Sequence, residues 1–178
     1  MVAILQSPGT PTQADFHAAI SSRSDRWFAA CLKITRNRDM AEDAVQDALL
    51  SAWHKRHQFD YSARLDTWIH RIAINAALQI LRKNRPAAFE TLETDVADTS
   101  DTPMSNRAQQ ELGESLAKAL THLSEFERVC FVLKHLEQWR LKEIAEEIGS
   151  NVGAVKQGIF RAVRKLRPRM SSLQGEQT

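Results

Sequence analysis

The residues best suited to chemistry lie near the C-terminus, on the last predicted helix. Between Lys156 and Arg169 there are six basic residues and no acid. Apolar residues from Val155 to Leu166 recur at helical spacing on one face. The remaining surface carries Lys156, Gln157, Phe160, Arg161 and Arg164. Because Gln and Lys can donate to base edges and Arg can neutralise phosphates, this surface is predicted to bind DNA. A solvated basic face at a chain end is the alternative interpretation.

A short helix and a glycine-containing turn precede this last helix. Apolar residues recur at helical intervals from Leu141 to Ile148, and Gly149-Ser150-Asn151 then interrupts them, with Asn151 placed to cap the next helix. The order is typical of a helix-turn-helix, whose second helix enters the major groove. Gly158 lies inside this second helix and should cost about 1 kcal/mol relative to Ala. A close approach of DNA or of a neighbouring helix would explain it.

A second polar face lies on the third helix of the N-terminal half. It presents, at intervals of three or four residues, Trp68, Arg71, Asn75, Gln79 and Arg82. Aromatic side chains stack on unpaired bases and Arg binds the backbone, so this face suits DNA that is being opened. The alternative for Trp68 is a residue that fills the core.

Carboxylates cluster on the second helix, away from the basic faces. Asp43, Gln46, Asp47 and Leu50 are spaced at i, i+3, i+4 and i+7, which places them on one outward face. Carboxylates repel DNA, so this face is expected to meet a protein partner or solvent. No His or Cys stands at ligand spacing around it, and the chain contains no phosphate-binding glycine loop or nucleophile motif. We therefore expect no metal, no cofactor and no enzymatic activity.

The elements that position these residues are predicted to be helical throughout, because no stretch alternates convincingly with period two. In the first half, helices are expected from about Ala14 to Thr35, from Asp39 to about His57, and from Asp66 to about Asn84. In the second half, helices begin near Asn106, and a capping box starts at Ser124. The fold class is therefore all-α.

One stretch, from Pro86 to Ser105, reads as a linker, rich in Asp, Thr, Ser and Pro. It divides the chain into two small helical domains, residues 10–86 and 106–170, joined by a flexible acidic linker, residues 87–105. The 178 residues carry a net charge of only +2, so the segregation of charge matters more than its total. The two cysteines are expected to be buried free thiols. With no apolar run near the ~18 residues of a membrane span, no membrane insertion is expected, and the protein should be cytoplasmic.

These residues together resemble a known family. The stretch AEDAVQDALLSAW from Ala41 to Trp53, Phe59, the stretch TWIHRIAIN from Thr67 to Asn75, and Leu81-Arg82 resemble region two of extracytoplasmic-function sigma factors. The second half is similar to their region four, through Leu123-Ser124, Arg128, Phe131, Leu133, Glu143-Ile144-Ala145, Gly149, Val155-Lys156, Arg161-Ala162 and Leu166. The two matches cover most of the chain.

The resemblance implies a promoter-recognition subunit of bacterial RNA polymerase that also takes part in DNA melting. The loop at about Gln58 to Leu65 would capture a base flipped out of the minus-ten element. The residues implied there and on the third helix are Tyr61, Ser62, Ala63, Arg64, Trp68, Arg71, Asn75 and Arg82. The last helix would read the minus-thirty-five element through Lys156, Gln157, Phe160, Arg161 and Arg164.

The resemblance also implies protein partners. The face formed by Asp43, Gln46, Asp47 and Leu50 would bind the clamp helices of the largest polymerase subunit, and the flap region would be a further contact. An anti-sigma factor is expected as an inhibitor. The alternative function is a stand-alone helix-turn-helix regulator that binds duplex DNA without polymerase, which would have no need of the Asp43 face.

Overall fold

The computed structural model of the chain describes residues 9–84 and 107–174, and the regular secondary structure in these ranges is helical. This confirms the predicted all-α class for the described residues. By its internal contacts the chain divides into two compact units, Met1–Ala77 and Leu78–Thr178. The predicted linker, residues 87–105, lies outside the described residues. The domain bounds 10–86 and 106–170 therefore stay predictions.

The first unit is built from three helices: α1 (Gln13–Thr35), α2 (Arg38–His54) and α3 (Leu65–Asn84), whose last residues pass into the second unit. Thr12-Gln13-Ala14-Asp15 has the spacing of a capping box, and the structure confirms this cap at the start of α1. The Asp15 amide donates to Thr12 Oγ1 at 3.3 Å, and the Thr12 amide donates to Asp15 Oδ2 at 2.8 Å.

The predicted bounds of α2 were wrong at both ends. The helix is capped by Asn37 and not by Asp39, because Asn37 Oδ1 accepts from the Met40 amide at 2.9 Å. It ends at His54, earlier than predicted, since the chain tightens into a 3-10 turn over Arg56–Gln58. The polar face of α2 keeps its predicted spacing.

Small side chains allow α1 and α2 to pack closely. The inner face of α2 consists of Ala41, Ala44, Ala48 and Ala52, each fully buried. Helical spacing alone allows either Ala44 or Val45, and either Ala48 or Leu49, on this inner face. The structure buries the two alanines fully and leaves Val45 and Leu49 half-buried. The bulk of the core comes from α1, whose Trp27 is buried and donates through Nε1 to the Asp66 carbonyl at 3.2 Å.

Helical spacing predicts an inward apolar stripe on α3, formed by Ile69, Ile72, Ala73, Ala76 and Ile80, and the observed buried face differs from it. Ile69 and Ala73 are fully buried as expected, whereas Ile72 is half-buried and Ile74 is fully buried instead. One determinant is α1, since Cys31 Sγ donates to the Ala73 carbonyl at 3.4 Å and so brings the α3 backbone against the core. Periodicity alone could not locate that contact.

The second unit contains α4 (Arg107–Leu120), α5 (Glu125–Phe131) with a π-helical continuation over Val132–Leu136, α6 (Leu141–Glu147) and α7 (Val152–Gln174). The predicted capping box at α5 is present: the Glu127 amide donates to Ser124 Oγ at 3.3 Å, and the Ser124 amide donates to the Glu127 carboxylate at 3.0 Å.

The predicted helix-turn-helix is formed by α6, a turn and α7. Gly149 in the turn has a φ of 66°, a conformation that glycine adopts without a steric cost. Asn151 caps α7 as expected, because its Oδ1 accepts from the Ala154 amide at 2.8 Å. The turn therefore sets where α7 begins.

Gly158 is required by the packing of α7 on α5. A Cβ at this position would lie 2.8 Å from Phe126 Cε1 and 3.3 Å from Cys130 Sγ. Of the two explanations that the sequence left open, the neighbouring helix is therefore the one the structure supports. Cys130 and Cys31 are both buried thiols, and neither forms a disulfide within the described residues. Burial, and then the nearby Glu127 charge, raises the pKa of the Cys130 thiol to about 12, so it stays protonated.

Replacing Gly158 with Ala should destabilise the second unit. Overpacking a core costs about 1 to 3 kcal/mol, which should exceed the gain in helix propensity of about 1 kcal/mol. The difference between the two effects is a net loss of up to about 2 kcal/mol in the free energy of unfolding, measured in urea. The control is Gly113→Ala in α4, where the new Cβ meets nothing within 4 Å and the same propensity gain should stabilise. If both variants changed the free energy of unfolding by the same amount relative to wild type, the packing explanation would be contradicted.

Candidate nucleic-acid and polymerase interfaces

The second helix of the helix-turn-helix exposes most of the predicted DNA-reading residues on one surface. Lys156, Gln157, Phe160 and Arg164 are exposed, and Arg161 is half-buried. Phe160 is 64% exposed, so this surface offers an aromatic ring beside its cations. The opposite face is buried and consists of Val155, Gly158, Ala162 and Leu166. The buried face thus determines which side chains α7 presents.

An ion pair helps to hold α7 in this rotation. Lys165 Nζ lies 2.8 Å from Glu127 Oε2, and the Glu127 side chain is only 4% exposed. The same carboxylate caps α5 through Ser124. Lys165 belonged to the basic run in the sequence, but this ion pair commits its charge to a structural role. Sequence reasoning missed the pair, because nothing in the spacing of residues 127 and 165 indicates it.

Aromatic side chains form the base of the loop before α3. Phe59 is buried, and its ring centroid lies 4.5 Å from that of Tyr61 and 5.3 Å from that of Trp68. Trp68 is half-buried, so part of its ring packs on Phe59 and part faces solvent. Tyr61 is 42% exposed, has a φ of 59°, and donates its hydroxyl proton to the Gly9 carbonyl. The neighbouring Ser62 and Ala63 are exposed.

A buried carboxylate organises the end of the same loop. Asp66 accepts from Arg64 at 3.1 and 3.2 Å, from the Thr67 amide at 2.8 Å, and forms an ion pair with Arg23 on α1 at 3.2 Å. Burial raises the pKa of the Asp66 carboxyl, but the Arg64 hydrogen bond and charge, the Thr67 amide and the Arg23 charge outweigh it, so the pKa is lowered. Arg64 therefore has a fixed anionic partner.

The sequence prediction used Asp66 as the entry to α3 and did not foresee this network. The Arg-x-Asp spacing of Arg64 and Asp66 is a local signal that could have suggested the first pair. No local signal indicates Arg23, which is more than 40 positions away in the sequence.

The polar face of α3 is exposed at its cations and partly enclosed at Asn75. Arg71 and Arg82 are exposed. Asn75 is half-buried, and its Oδ1 is buried without a hydrogen-bond partner among the described residues. A buried acceptor left unpaired costs free energy, so this oxygen is suited to accept a proton donor from a ligand.

The acidic face of α2 is formed as predicted. Asp43, Gln46, Asp47 and Leu50 are all exposed, and Leu50 is 60% exposed. An apolar side chain beside two carboxylates fits a protein partner better than it fits DNA. In residues 9–84 and 107–174, no group of three His, Cys, Asp or Glu could hold a metal ion. None of the described helices combines the length and apolar content that crossing a bilayer requires.

The fold and these surfaces define a helical DNA-binding protein with a helix-turn-helix in its second unit. Residues 20–87 match the family model for Sigma-70 region 2, and residues 113–166 match that for Sigma-70, region 4. The chain is 31% identical over 163 residues to the ECF RNA polymerase sigma factor SigL of Mycobacterium tuberculosis, covering 89% of this chain and 87% of SigL. It is 27% identical over 173 residues to SigW of Bacillus subtilis, covering 90% of this chain and 91% of SigW.

The solved structure of the sigma factor RpoE from Bartonella quintana, in complex with the anti-sigma factor NepR, has a similar fold. It aligns with a TM-score of 0.56 at 24% identity and covers 88% of this chain and 97% of RpoE. The chain belongs to the extracytoplasmic-function (ECF) sigma factors of the sigma-70 family. It is a non-enzymatic subunit of RNA polymerase that directs promoter recognition and transcription initiation, which excludes the stand-alone regulator.

Replacing Asp66 with Asn should destabilise the protein by about 1 to 2 kcal/mol at neutral pH, because charge-assisted hydrogen bonds are lost. The pKa of Asp66 is lowered from 3.8 in the folded state, so its contribution is complete well above 3.8 and is lost as the pH falls through the folded pKa. The stability gap between wild type and Asp66→Asn, from urea unfolding at several pH values, should therefore narrow below about pH 4. Asp25→Asn, at an exposed position on α1, is the control. A gap that widens on acidification would contradict this account.

Proposed function

We propose that this sigma factor reads its two promoter elements with separate helices. The surface of α7 formed by Lys156, Gln157, Phe160, Arg161 and Arg164 reads the minus-thirty-five element. The supporting observation is that one buried face of α7 turns four of these five side chains outward together. In a major groove, Gln and Lys donate to base edges, Phe can contact a thymine methyl, and Arg neutralises phosphates.

We further propose that the loop from residue 58 to 65 captures a flipped base of the minus-ten element. Flipping costs a few kcal/mol of lost stacking, which the pocket must offset. Tyr61 and Trp68 offer aromatic surface on the buried Phe59, and Ser62, Ala63 and Arg64 line the exposed side of the loop. The unpaired Asn75 Oδ1 would accept from a base amino group, while Arg71 and Arg82 would hold the adjoining strand.

The acidic face of α2 is proposed to bind the clamp helices of the largest polymerase subunit. Its exposed Asp43, Gln46, Asp47 and Leu50 combine charge with an apolar anchor, which supports a protein contact. The flap region of the polymerase is proposed as the contact of the second unit. The protein would act in the cytoplasm, where RNA polymerase works.

An anti-sigma factor is the remaining partner that we propose. Support comes from RpoE of Bartonella quintana, a protein of similar fold that was solved with the anti-sigma factor NepR. Such an inhibitor would keep the sigma factor from the polymerase until a signal releases it. Affinity capture from the source cell tests this proposal, and recovery of core polymerase with no inhibitor under non-inducing conditions would count against it.

Reversing the charge of the acidic face should weaken binding to core polymerase. In Asp43→Lys combined with Asp47→Lys, like-charge contacts at the clamp helices should weaken binding by at least roughly tenfold, measured with fluorescently labelled sigma factor. The residues are exposed, so the melting temperature should hardly change. The matched control is Asp25→Lys, which reverses an exposed acid on α1. Unaltered affinity in the double variant would refute this assignment.

Run-off transcription with core polymerase over a genomic fragment library tests the promoter assignment and reports the promoter sequence. Wild type should initiate at a discrete set of promoters. Gln157→Ala should relax the preference at one or two minus-thirty-five base pairs by roughly 1 to 3 kcal/mol, because a base contact carries sequence information. Arg164→Ala should instead weaken all promoters alike, as expected for a phosphate contact. The α7 assignment fails if neither variant changes promoter output.

A further inference from the structure

An open cleft of about 540 Å³ lies in the first unit, at the end of α2 and the segment that leads into α1. None of the roles proposed above uses it. Its lining consists of Thr10, Pro11, Thr12, Trp53, His54, Arg56 and His57. The cleft is thus lined by a cationic side chain and by several side chains that can donate hydrogen bonds, and none of these lining residues is an acid.

Arg56 is held in a fixed orientation in this cleft. Its guanidinium stacks on the Trp53 ring, 4.0 Å from the ring centroid, and its Nη1 donates to the Trp53 carbonyl at 2.7 Å. Trp53 is in turn packed edge-to-face against Phe16 on α1, with centroids 5.2 Å apart. Packing and one hydrogen bond therefore orient the guanidinium, and no carboxylate of residues 9–84 and 107–174 pairs with it, which leaves its other N–H donors for a ligand.

The surroundings of Arg56 favour an anion. His54 and His57 add ring nitrogens that can donate, and Thr10 and Thr12 add hydroxyl groups. The acids nearest in sequence to the lining are Asp15 and Asp60. Asp15 Oδ2 accepts from the Thr12 amide at 2.8 Å and from Thr12 Oγ1 at 2.7 Å, so it is engaged in capping α1. Asp60 Oδ1 accepts from the Ser62 amide at 3.0 Å, so it is engaged within the loop. Basic residues at the end of α2 also offset the helix dipole, but that effect needs neither a stacked guanidinium nor a cleft.

The cleft adjoins the loop that is proposed to capture the minus-ten base. His57 directly precedes that loop in sequence. The loop is also tied to the other wall of the cleft, because the Tyr61 hydroxyl donates to the carbonyl of Gly9, the residue before Thr10. We infer that the cleft binds a backbone phosphate of the DNA strand whose base the loop captures. This inference rests on the proposed function of the loop, and a planar guanidinium is well suited to phosphate oxygens.

The test uses the sigma factor reconstituted with core polymerase and two single-stranded probes. The first probe is the non-template minus-ten strand of a promoter recovered by run-off transcription, with one phosphate at a time replaced by an uncharged methylphosphonate. The second is a short oligothymidine titrated with salt. Arg56→Gln removes the guanidinium, and His57→Ala removes a donor at an exposed position that should not affect folding. Lys55→Gln is the matched control, an exposed cation next to Arg56 that does not line the cleft.

Wild type should lose roughly tenfold in affinity when one particular linkage is neutralised. Arg56→Gln should bind the unmodified strand roughly tenfold more weakly than wild type, and its affinity should fall little further when that same linkage is neutralised. His57→Ala should show the same pattern with a smaller loss of affinity. Lys55→Gln should keep the wild-type linkage profile, that is, the same loss of affinity as wild type at each neutralised phosphate. If both cleft variants keep that profile, the inference is overturned.

Two further results would show whether the cleft binds polymerase instead of DNA, and whether the proposed function of the loop fails independently of the cleft. If Arg56→Gln leaves DNA binding unchanged but weakens assembly with core polymerase, the cleft binds an acidic segment of polymerase and the phosphate inference is wrong. If the loop does not capture a base, wild type will not prefer the minus-ten strand over a scrambled one. The oligothymidine titration still tests the cleft in that case: Arg56→Gln should reduce the slope of log affinity against log salt by about 0.7, and an unchanged slope would refute the inference.

Discussion

Close packing of helices through small side chains is the constraint on which both units depend. Two small domains have little apolar surface to bury, so their helices must approach closely for the cores to be stable. In the first unit, α1 packs on α2, whose buried face consists of four alanines. In the second, Gly158 brings α7 against Phe126 on α5. Once these faces are buried, the rotation of each helix is set, and the remaining residues must face outward.

Buried carboxylates refine this arrangement at the start of two helices. Asp66 lies in the first turn of α3 and binds Arg64 and Arg23, whereas Glu127 lies in the first turn of α5 and binds Lys165. The positive end of a helix dipole favours an acid at such positions. Each carboxylate therefore fixes cations close to a proposed DNA-binding surface and reduces the number that contact solvent or DNA freely.

The separation of charge between surfaces follows from this packing. The acids of α2 lie on a face that can attract protein and repel nucleic acid, while cations and aromatic side chains are presented by the loop before α3, by α3 and by α7. A sigma factor must bind polymerase and DNA at the same time, so surfaces of opposite character on different helices keep the two partners from competing. The nearly neutral net charge of +2 conceals this division.

Much of the fold was predictable because it depends on local chemistry. Helical periodicity, the caps at Thr12, Ser124 and Asn151, and the break at Gly149 are determined by residues close together in sequence. The spacing of Asp43 to Leu50 likewise placed these residues on one exposed face. The sequence by itself thus determined the class of fold, the helix-turn-helix and the family.

Tertiary structure decided what depends on contacts between distant residues. Gly158 packs on Phe126, Lys165 pairs with Glu127 and Arg23 pairs with Asp66, and each of these contacts joins two different elements. The cleft around Arg56 likewise brings residues 10–12 together with residues 53–57. Spacing along one helix cannot reveal such pairs, because it specifies which side chains share a face and not which side chains meet across a packed interface.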